Sequence, residues 1–309
     1  MTQIAPVLPE ESNMTRRALK ASERASDAKT KLSSPWASAV AIILAILWTL
    51  PTLGLFITSF RKPADISGPT ATGWWTIFTN PSFSLDNYDK VLTGGASSLG
   101  SFFLNSFVIT IPAVIIPIAL ALLAAYAFAW IPFKGRNFLF VAIFALQVVP
   151  IQVTLIPLQS QYVAWGLAAS FWPVWLSHTI FGLPLAIFLL HNFMKEIPRE
   201  IIEAARVDGA GHVKIFFRVL LPLLVPAIAS FGIFQFLWVW NDLLVAIVFA
   251  PSANLAPLTA RLAELSGTQG ANWQLPAAGA FVSMAVPLIV FLALQRYFVR
   301  GLLAGGVKG

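Results

Sequence analysis

The feature that most constrains this chain is a series of long segments without a charged side chain. No Asp, Glu, Lys or Arg occurs at residues 33–60, 91–133, 137–194 or 265–295. A helix needs roughly 20 predominantly apolar residues to cross the hydrocarbon core of a bilayer. Only 11% of all residues are charged, against about 25% in soluble domains. Polar surface is therefore too scarce to cover a water-exposed globule, and lipid must be the main solvent of this chain.

The apolar segments divide into six predicted transmembrane helices. The stretch at 137–194 is long enough for two spans, with a polar break near Gln159, Gln161 and Gly166. Asp242 is the single charged residue between residues 219 and 260. We therefore predict an all-α, polytopic integral membrane protein. Its helices are expected at about 36–60, 101–130, 138–158, 168–193, 219–249 and 275–298.

The basic residues predict how these spans are oriented. Sixteen of the 20 Lys and Arg residues fall before the first span, in the second-to-third and fourth-to-fifth connections, or in the C-terminal tail. The opposite side holds four: Arg61, Lys62, Lys90 and Arg261. The positive-inside rule then places both termini in the cytoplasm of a multi-pass protein of the cytoplasmic (inner) membrane. Residues 1–35 are polar and are predicted to form a disordered cytoplasmic tail, followed by a transmembrane domain from 36 to 309.

The same composition disfavours several other classes of protein. The net charge of +7 is explained by topology and by attraction to membrane lipid, so no nucleic-acid partner is expected. The chain has no cysteine, which excludes disulfides and thiolate metal sites. His178 and His191 each lack a second ligand at suitable spacing, so we predict no metal site and no cofactor.

One polar stretch, between the fourth and fifth predicted spans, differs from the rest of the chain. Pro198 suits the first turn of a helix, where its missing N–H costs nothing. Ile201, Ala204 and Ala205 would share one helical face at spacing i, i+3, i+4. Gly209 supplies the left-handed backbone that ends a helix. The pattern predicts a short surface helix whose small residues a partner can approach closely.

A second short amphipathic run, residues 212–218, leads from this helix into the fifth span. The spacing of the whole stretch resembles the EAA loop of binding-protein-dependent ABC import permeases. The matching residues are Glu203, Ala204 and Ala205, then Gly209 after three residues, Val219 after nine more, and Leu221 and Pro222. Val219 stands where the family usually has Ile. We call residues 195–222 the EAA loop.

Other segments resemble the carbohydrate branch of this family, the maltose permease (MalG-like) subunits. The resemblance covers residues 36–309, although the N-terminal tail is longer than expected and Trp130 stands where an Arg is usual. The resembling segments are Asn105–Ser106, residues 124–129, residues 150–158, residues 240–242 and residues 295–301.

The resemblance implies a transport mechanism and a set of partners. Two permease subunits would form the pathway, two cytoplasmic ATPase subunits would bind beneath them, and an extracytoplasmic solute-binding protein would deliver a sugar, an α-glucoside oligosaccharide being favoured. The loop would dock on an ATPase through Glu203, Ala204, Ala205, Asp208, Gly209, Leu221 and Pro222. The chain has no G-x-x-x-x-G-K-[ST] phosphate loop, so we predict a transport subunit and not an enzyme.

The fifth span contains the candidate pathway residues Gln235, Trp238, Asn241 and Asp242. A charge near mid-span costs about 2.5–3.5 kcal/mol on insertion scales, so Asp242 should face protein or water. The functional interpretation places Asp242 along the pathway or at the permease–permease interface. The favoured alternative is that it tethers backbone near the outer end of its helix. The aromatic residues of this span suit sugar stacking and ordinary helix packing equally well.

Two other classes of protein remain as alternatives. A secondary transporter would need coupling-ion sites, but Asp242 has no evident partner cation in the sequence. An intramembrane enzyme would need clustered catalytic side chains near the membrane boundary, and none is evident. Within the same family, a permease for an amino acid, a polyamine or an anion is the nearest alternative, since the substrate class rests on resemblance alone.

Overall fold

The structure is a computed structural model that describes residues 35–66, 72–94, 98–268 and 273–306, with side chains described through residue 295. These residues are helical or irregular and contain no strand, which confirms the all-α prediction. The predicted polar tail falls outside them, apart from Pro35. The helices are α1 Pro35–Ser59, α2 Pro63–Ile66, α3 Asp86–Thr93, α4 Gly100–Trp130, α5 Arg136–Val148, α6 Ile151–Ala164, α7 Trp172–Glu196, α8 Arg199–Val207, α9 His212–Leu223, α10 Val225–Trp240, α11 Leu244–Phe249, α12 Leu258–Thr268 and α13 Gln274–Gly306.

The chain divides into two compact units, one ending at Ile57 and the other beginning at Thr58. Residues 35–57 of α1 are the described part of the first unit. α1 has a mean hydropathy of 2.4 in its most apolar window, enough to span a bilayer by length and composition. In the second unit α4, α7 and α13 meet the same test. Two bent pairs, α5 with α6 and α9 with α10, would complete six spans.

The third and fifth predicted spans differ from the structure. The third is not one helix over 138–158, because α5 and α6 meet at 100° with Pro150 at the corner. Proline cannot donate to the helix ladder and disfavours helical backbone at the residue before it. The fifth ends at Trp240 instead of residue 249, and its N-terminal end bends by 70° between α9 and α10. Hydropathy gave the lengths of these apolar regions but not their breaks.

α4 and α7 form the most extensive helix pair of the second unit. Fully buried alanines at 113, 121 and 125 line α4, and small residues let helix backbones approach closely in membranes. The buried side chains form one cluster around α4, α7 and the EAA loop, and another around α6, α10 and α11 at the opposite ends of α4 and α7. A third cluster joins α3, α12 and the start of α13. The opposite face of α4 exposes Leu104, Val108, Ile111 and Ile115, as a lipid-facing or subunit-facing surface requires.

Three prolines within spans leave backbone carbonyls that other helices satisfy. Pro112, Pro117 and Pro287 have no N–H to donate to the carbonyl four residues earlier, and in lipid such a carbonyl needs another donor. A side chain from a neighbouring helix donates to each freed carbonyl. The pairs are Trp175 Nε1 with Val108 O at 2.9 Å, Gln235 Nε2 with Ala113 O at 3.2 Å, and Trp240 Nε1 with Ser283 O at 3.2 Å.

The segment between the first two spans is organised by a buried arginine. The guanidinium of Arg61 donates to the Gly73 carbonyl and to the hydroxyls of Thr72 and Thr76. Asn87 on α3 donates to the backbone carbonyl of Arg61 at 2.8 Å. These hydrogen bonds hold the segment together as a small folded unit with its own buried polar centre.

Candidate functional site

The EAA loop begins with a short helix that ends in a Schellman motif. Gly209 has φ = +73°, which confirms the predicted left-handed backbone. The N–H of Gly209 donates to Arg206 O and the N–H of Ala210 donates to Ala205 O, both at 2.9 Å. This pair of bonds satisfies carbonyls that the end of α8 would otherwise leave unpaired. Beyond Gly209 and its two chain neighbours, no heavy atom lies within 4 Å of the position that a Cβ at Gly209 would take, so a side chain there would strain the backbone alone.

α8 is anchored to the bundle through one side and exposes the other. Ile202, 2% exposed, belongs to the core cluster that also contains Met194 of α7 and Leu220 of α9. The sequence had placed Ile201, Ala204 and Ala205 on one face, but Ala205 is half-buried against the core while Ile201 and Ala204 are exposed. The outward face of α8 is therefore made by Ile201, Ala204 and the neighbouring Glu203.

A hydrogen bond joins the EAA loop to the second span. The hydroxyl of Tyr126 on α4 lies 2.6 Å from Nδ1 of His212, the first residue of α9. The rings of Tyr126 and His212 meet edge to face, and Phe216 packs against the same tyrosine. A displacement of α9 would therefore pull directly on α4. Periodicity and spacing did not predict this link, and the one signal in the sequence is that Tyr126 lies in a segment resembling the family's second span.

Leu221 and Pro222 lie where the loop turns into the fifth span. They follow a wide π-helical turn at Phe216–Leu220 and precede the bend at Leu224. Because Pro222 cannot donate to the carbonyl of Arg218, regular helical hydrogen bonding is interrupted there. The EAA loop is thus a helix, a tight turn and a bent helix in succession.

Asp242 forms the corner between α10 and α11. Its Oδ2 accepts hydrogen bonds from the backbone N–H groups of Val245 at 3.0 Å and Ala246 at 3.1 Å, as an N-terminal capping residue does. Its backbone carbonyl accepts the hydroxyl of Thr259 at 2.7 Å. The side chain also has a neighbour that the sequence did not predict, since Nε2 of the buried His178 lies 3.8 Å from Oδ2. These contacts are those of a residue that tethers backbone.

The other three pathway candidates lie at different places on α10. Gln235 is 1% exposed and ties α10 to α4 through its bond to Ala113, and its amide packs so tightly on Gly182 of α7 that a Cβ there would come within 3 Å. Trp238 is half-buried and meets the ring of His178 edge to face. Asn241 is exposed and donates to Leu237 O one turn back.

A cavity of about 460 Å³ opens at the break between α5 and α6. Its polar side chains are Gln147, Gln152 and Thr154, and its lining residues include Pro150 and Pro184. None of the residues lining it is charged, and none of the four pathway candidates is among them. The structure therefore offers a second location, on the third span, where a polar solute would meet amide and hydroxyl groups. In the sequence, Pro150 and Pro184 within predicted spans are the signal for such a cavity, because each lacks a backbone donor and disturbs its helix.

Comparison with known proteins identifies the family. Residues 117–303 match the family described as the binding-protein-dependent transport system inner membrane component. The osmoprotective compounds uptake permease protein GgtD of Synechocystis sp. is 54% identical over 86% of this chain and 90% of its own length. The alpha-glucoside transport system permease protein AglG of Rhizobium meliloti is 53% identical over 76% of this chain and 63% of its own length. The melibiose/raffinose/stachyose import permease protein MelC of Bacillus subtilis is 33% identical over 87% and 95%.

The fold is similar to that of a solved transporter. A chain of a bacterial ABC transporter involved in the import of the acidic polysaccharide alginate aligns over 88% of this chain and 98% of its own, with a TM-score of 0.69 and 21% identity. At that identity the likeness concerns the fold alone. The chain belongs to the family of inner-membrane components of binding-protein-dependent transport systems.

Proposed function

We propose that this chain is one of two permease subunits that form the pathway of an ATP-driven sugar importer. The observation that carries the transport role is the EAA loop, because it combines an exposed helix face, a rigid Schellman turn and a hydrogen-bonded link to a span. On this proposal α8 docks on an ATPase subunit through Glu203 and Ala204, supported by Ala205, Asp208 and Gly209. Leu221 and Pro222 carry the movement into the fifth span. Both termini then lie in the cytoplasm.

The Tyr126–His212 hydrogen bond supports this mechanism for a physical reason. An ATPase that closes moves the loop docked on it, and the loop must move spans to open a pathway. Bonds that join the loop to α4 and α10 together convert one displacement into the movement of two helices. The partners on this proposal are two ATPase subunits, a second permease and an external binding protein.

A neutral, hydroxyl-rich solute suits the uncharged cavity at the third span. Amide and hydroxyl side chains both donate and accept hydrogen bonds, as sugar hydroxyls require. A polyamine or an anion would leave its charge uncompensated in a cavity without charged side chains, at a large desolvation cost. The names of the alpha-glucoside and melibiose/raffinose/stachyose relatives agree with a sugar. We propose an α-glucoside as the substrate and Gln147, Gln152 and Thr154 as pathway residues, alongside the four candidates on the fifth span.

A second substrate class has its own support. The 54% identical relative is named for the uptake of osmoprotective compounds, so a small compatible solute is the alternative cargo. The two are separated by measuring uptake of radiolabelled maltose beside labelled glycine betaine, with and without added salt. The α-glucoside proposal expects disaccharide uptake that does not depend on salt. Uptake of betaine alone, induced by salt, would contradict it.

Dependence on ATP is tested in the same cells. The chain is co-expressed with candidate ATPase, permease and binding-protein genes. Uptake is measured with the unaltered ATPase and with a variant ATPase whose phosphate-loop lysine is replaced by alanine. Uptake should fall to background with that variant. Tyr126→Phe, which removes one hydroxyl, should lower sugar uptake several-fold while leaving basal ATP hydrolysis in place. Full uptake in the absence of any ATPase would contradict the proposed function.

A further inference from the structure

A small basic cavity lies where three helices reach the edge of the bundle beside the EAA loop. It has a volume of about 250 Å³ and lies between the end of α4, the start of α5 and the last two turns of α7. Its charged side chains are Arg136 and Lys195, and no acidic residue lines it. Neither cation forms an ion pair with a carboxylate of the described residues. The cavity therefore holds uncompensated positive charge at the ends of membrane spans.

A buried histidine adds a free polar atom to the same cavity. His191 is 7% exposed and its ring packs on Phe140 at 4.3 Å between centroids. Its Nδ1 makes no hydrogen bond in the structure, although buried polar atoms are nearly always paired. Asn137 brings an amide group to the same lining. A ligand with several acceptor oxygens would satisfy the histidine, the amide and the two cations together.

The surroundings indicate an amphipathic ligand. Phe128, Phe140 and Val141 complete the lining, and α5 beside the cavity exposes Phe138 at 80% and Val141 at 63%. Charged groups thus lie at the span ends, and an apolar strip leads away from them along α5. A second cavity of about 220 Å³ shares Arg136 and adds Arg199 and Arg206, with Glu203 as its one acidic residue, so the positive region continues along the EAA loop.

We propose that this cavity binds the phosphate of an anionic membrane phospholipid. Arg136 and Lys195 bind the phosphate, and an acyl chain lies along α5. Basic pockets between transmembrane helices on the cytoplasmic side are suited to acidic headgroups, and each nearby Lys or Arg contributes about 1 kcal/mol to binding at an anionic surface. Phosphatidylglycerol and cardiolipin have this chemistry. The proposal does not depend on the substrate or on docking of an ATPase.

The experiment is native mass spectrometry of the purified full-length chain, released from detergent after addition of phosphatidylglycerol or phosphatidylcholine. Phosphatidylglycerol should remain bound while phosphatidylcholine is lost. The double variant Arg136→Gln with Lys195→Gln should bind phosphatidylglycerol roughly 30-fold more weakly. Arg136→Lys with Lys195→Arg, which keeps both charges, should retain most of the affinity and shows that a loss in the glutamine variant is specific to charge.

A matched control separates this site from general attraction to basic surface. Lys214→Gln with Arg218→Gln removes two exposed cations from α9, outside the cavity, and should leave lipid binding unchanged. A parallel arm adds inorganic phosphate at millimolar concentration, which should not displace the lipid if the acyl chain contributes. Equal retention of both lipids, equal losses in the cavity and control variants, or displacement by phosphate alone would each overturn the proposal.

Discussion

Two residues are suited to tests by single substitution, and Gly209 is the first. At φ = +73° it adopts a conformation that costs an L-residue about 1–2 kcal/mol, and a β-branched one more. Gly209→Val should therefore distort the end of α8 without disturbing the spans. We expect near-normal amounts of protein in the membrane, lower sugar uptake and weaker co-purification of the ATPase.

Gly211 provides a matched control for this substitution. Its φ of −74° is ordinary for any residue, and open space surrounds the position of its Cβ. Gly211→Val should retain both uptake and the ATPase. If Gly209→Val behaved like Gly211→Val, the turn would have no part in coupling.

Substitutions at Asp242 distinguish the contribution of helix capping from that of the negative charge. Asn keeps an oxygen that accepts from Val245 and Ala246, so Asp242→Asn should be mild, whereas Asp242→Ala should lose about 1 kcal/mol of helix capping. Asp242→Lys should be severe, because it places a cation beside His178 in the bundle. Uptake and thermal stability of the purified protein measure the series. Loss of uptake by Asp242→Asn at normal stability would favour a direct role for the charge.

At the scale of helices, we predict that a side-chain donor stabilises a carbonyl that proline leaves unpaired. A double-mutant cycle can measure this coupling energy. Trp240→Phe removes the donor to Ser283 O and should destabilise the protein by about 0.5–2 kcal/mol. In a Pro287→Ala background the residue at 287 regains its own N–H, which can donate to Ser283 O. Trp240→Phe should then cost less, and the difference is the coupling energy. Equal costs in the two backgrounds would mean that the indole bond stabilises nothing.

Sequence predicted the helices better than it predicted their breaks. Length and hydropathy locate apolar regions because a bilayer has a fixed thickness, and the Schellman turn followed from Gly209 because that conformation disfavours a Cβ. The corner at Pro150 was not predicted, since proline occurs in straight and bent membrane helices alike. Links such as Tyr126 with His212 join residues far apart in the chain, so periodicity and spacing hold no signal for them.

At the scale of the whole molecule, the distribution of basic residues predicts topology. Six spans with both termini inside place Lys134 and Lys214 in the cytoplasm and Lys90 and Arg261 outside. Reporter fusions at these four positions should give that pattern. A cytoplasmic reading at Arg261 would show that α9 and α10, or α5 and α6, do not together form one span, and the six-span arrangement would then be wrong.

The prolines of α4 have a consequence for how the chain is made. The donors to Val108 O and Ala113 O are synthesised 67 and 122 residues later. At about 5–20 residues per second, the second carbonyl waits roughly 6 to 24 s for its partner. An unpaired carbonyl in hydrocarbon is unfavourable, so α4 should spend that time beside the insertion machinery, where water or protein can donate. Ribosome-arrested chains should crosslink from α4 to the insertase until Gln235 has entered the membrane, and should separate from it afterwards.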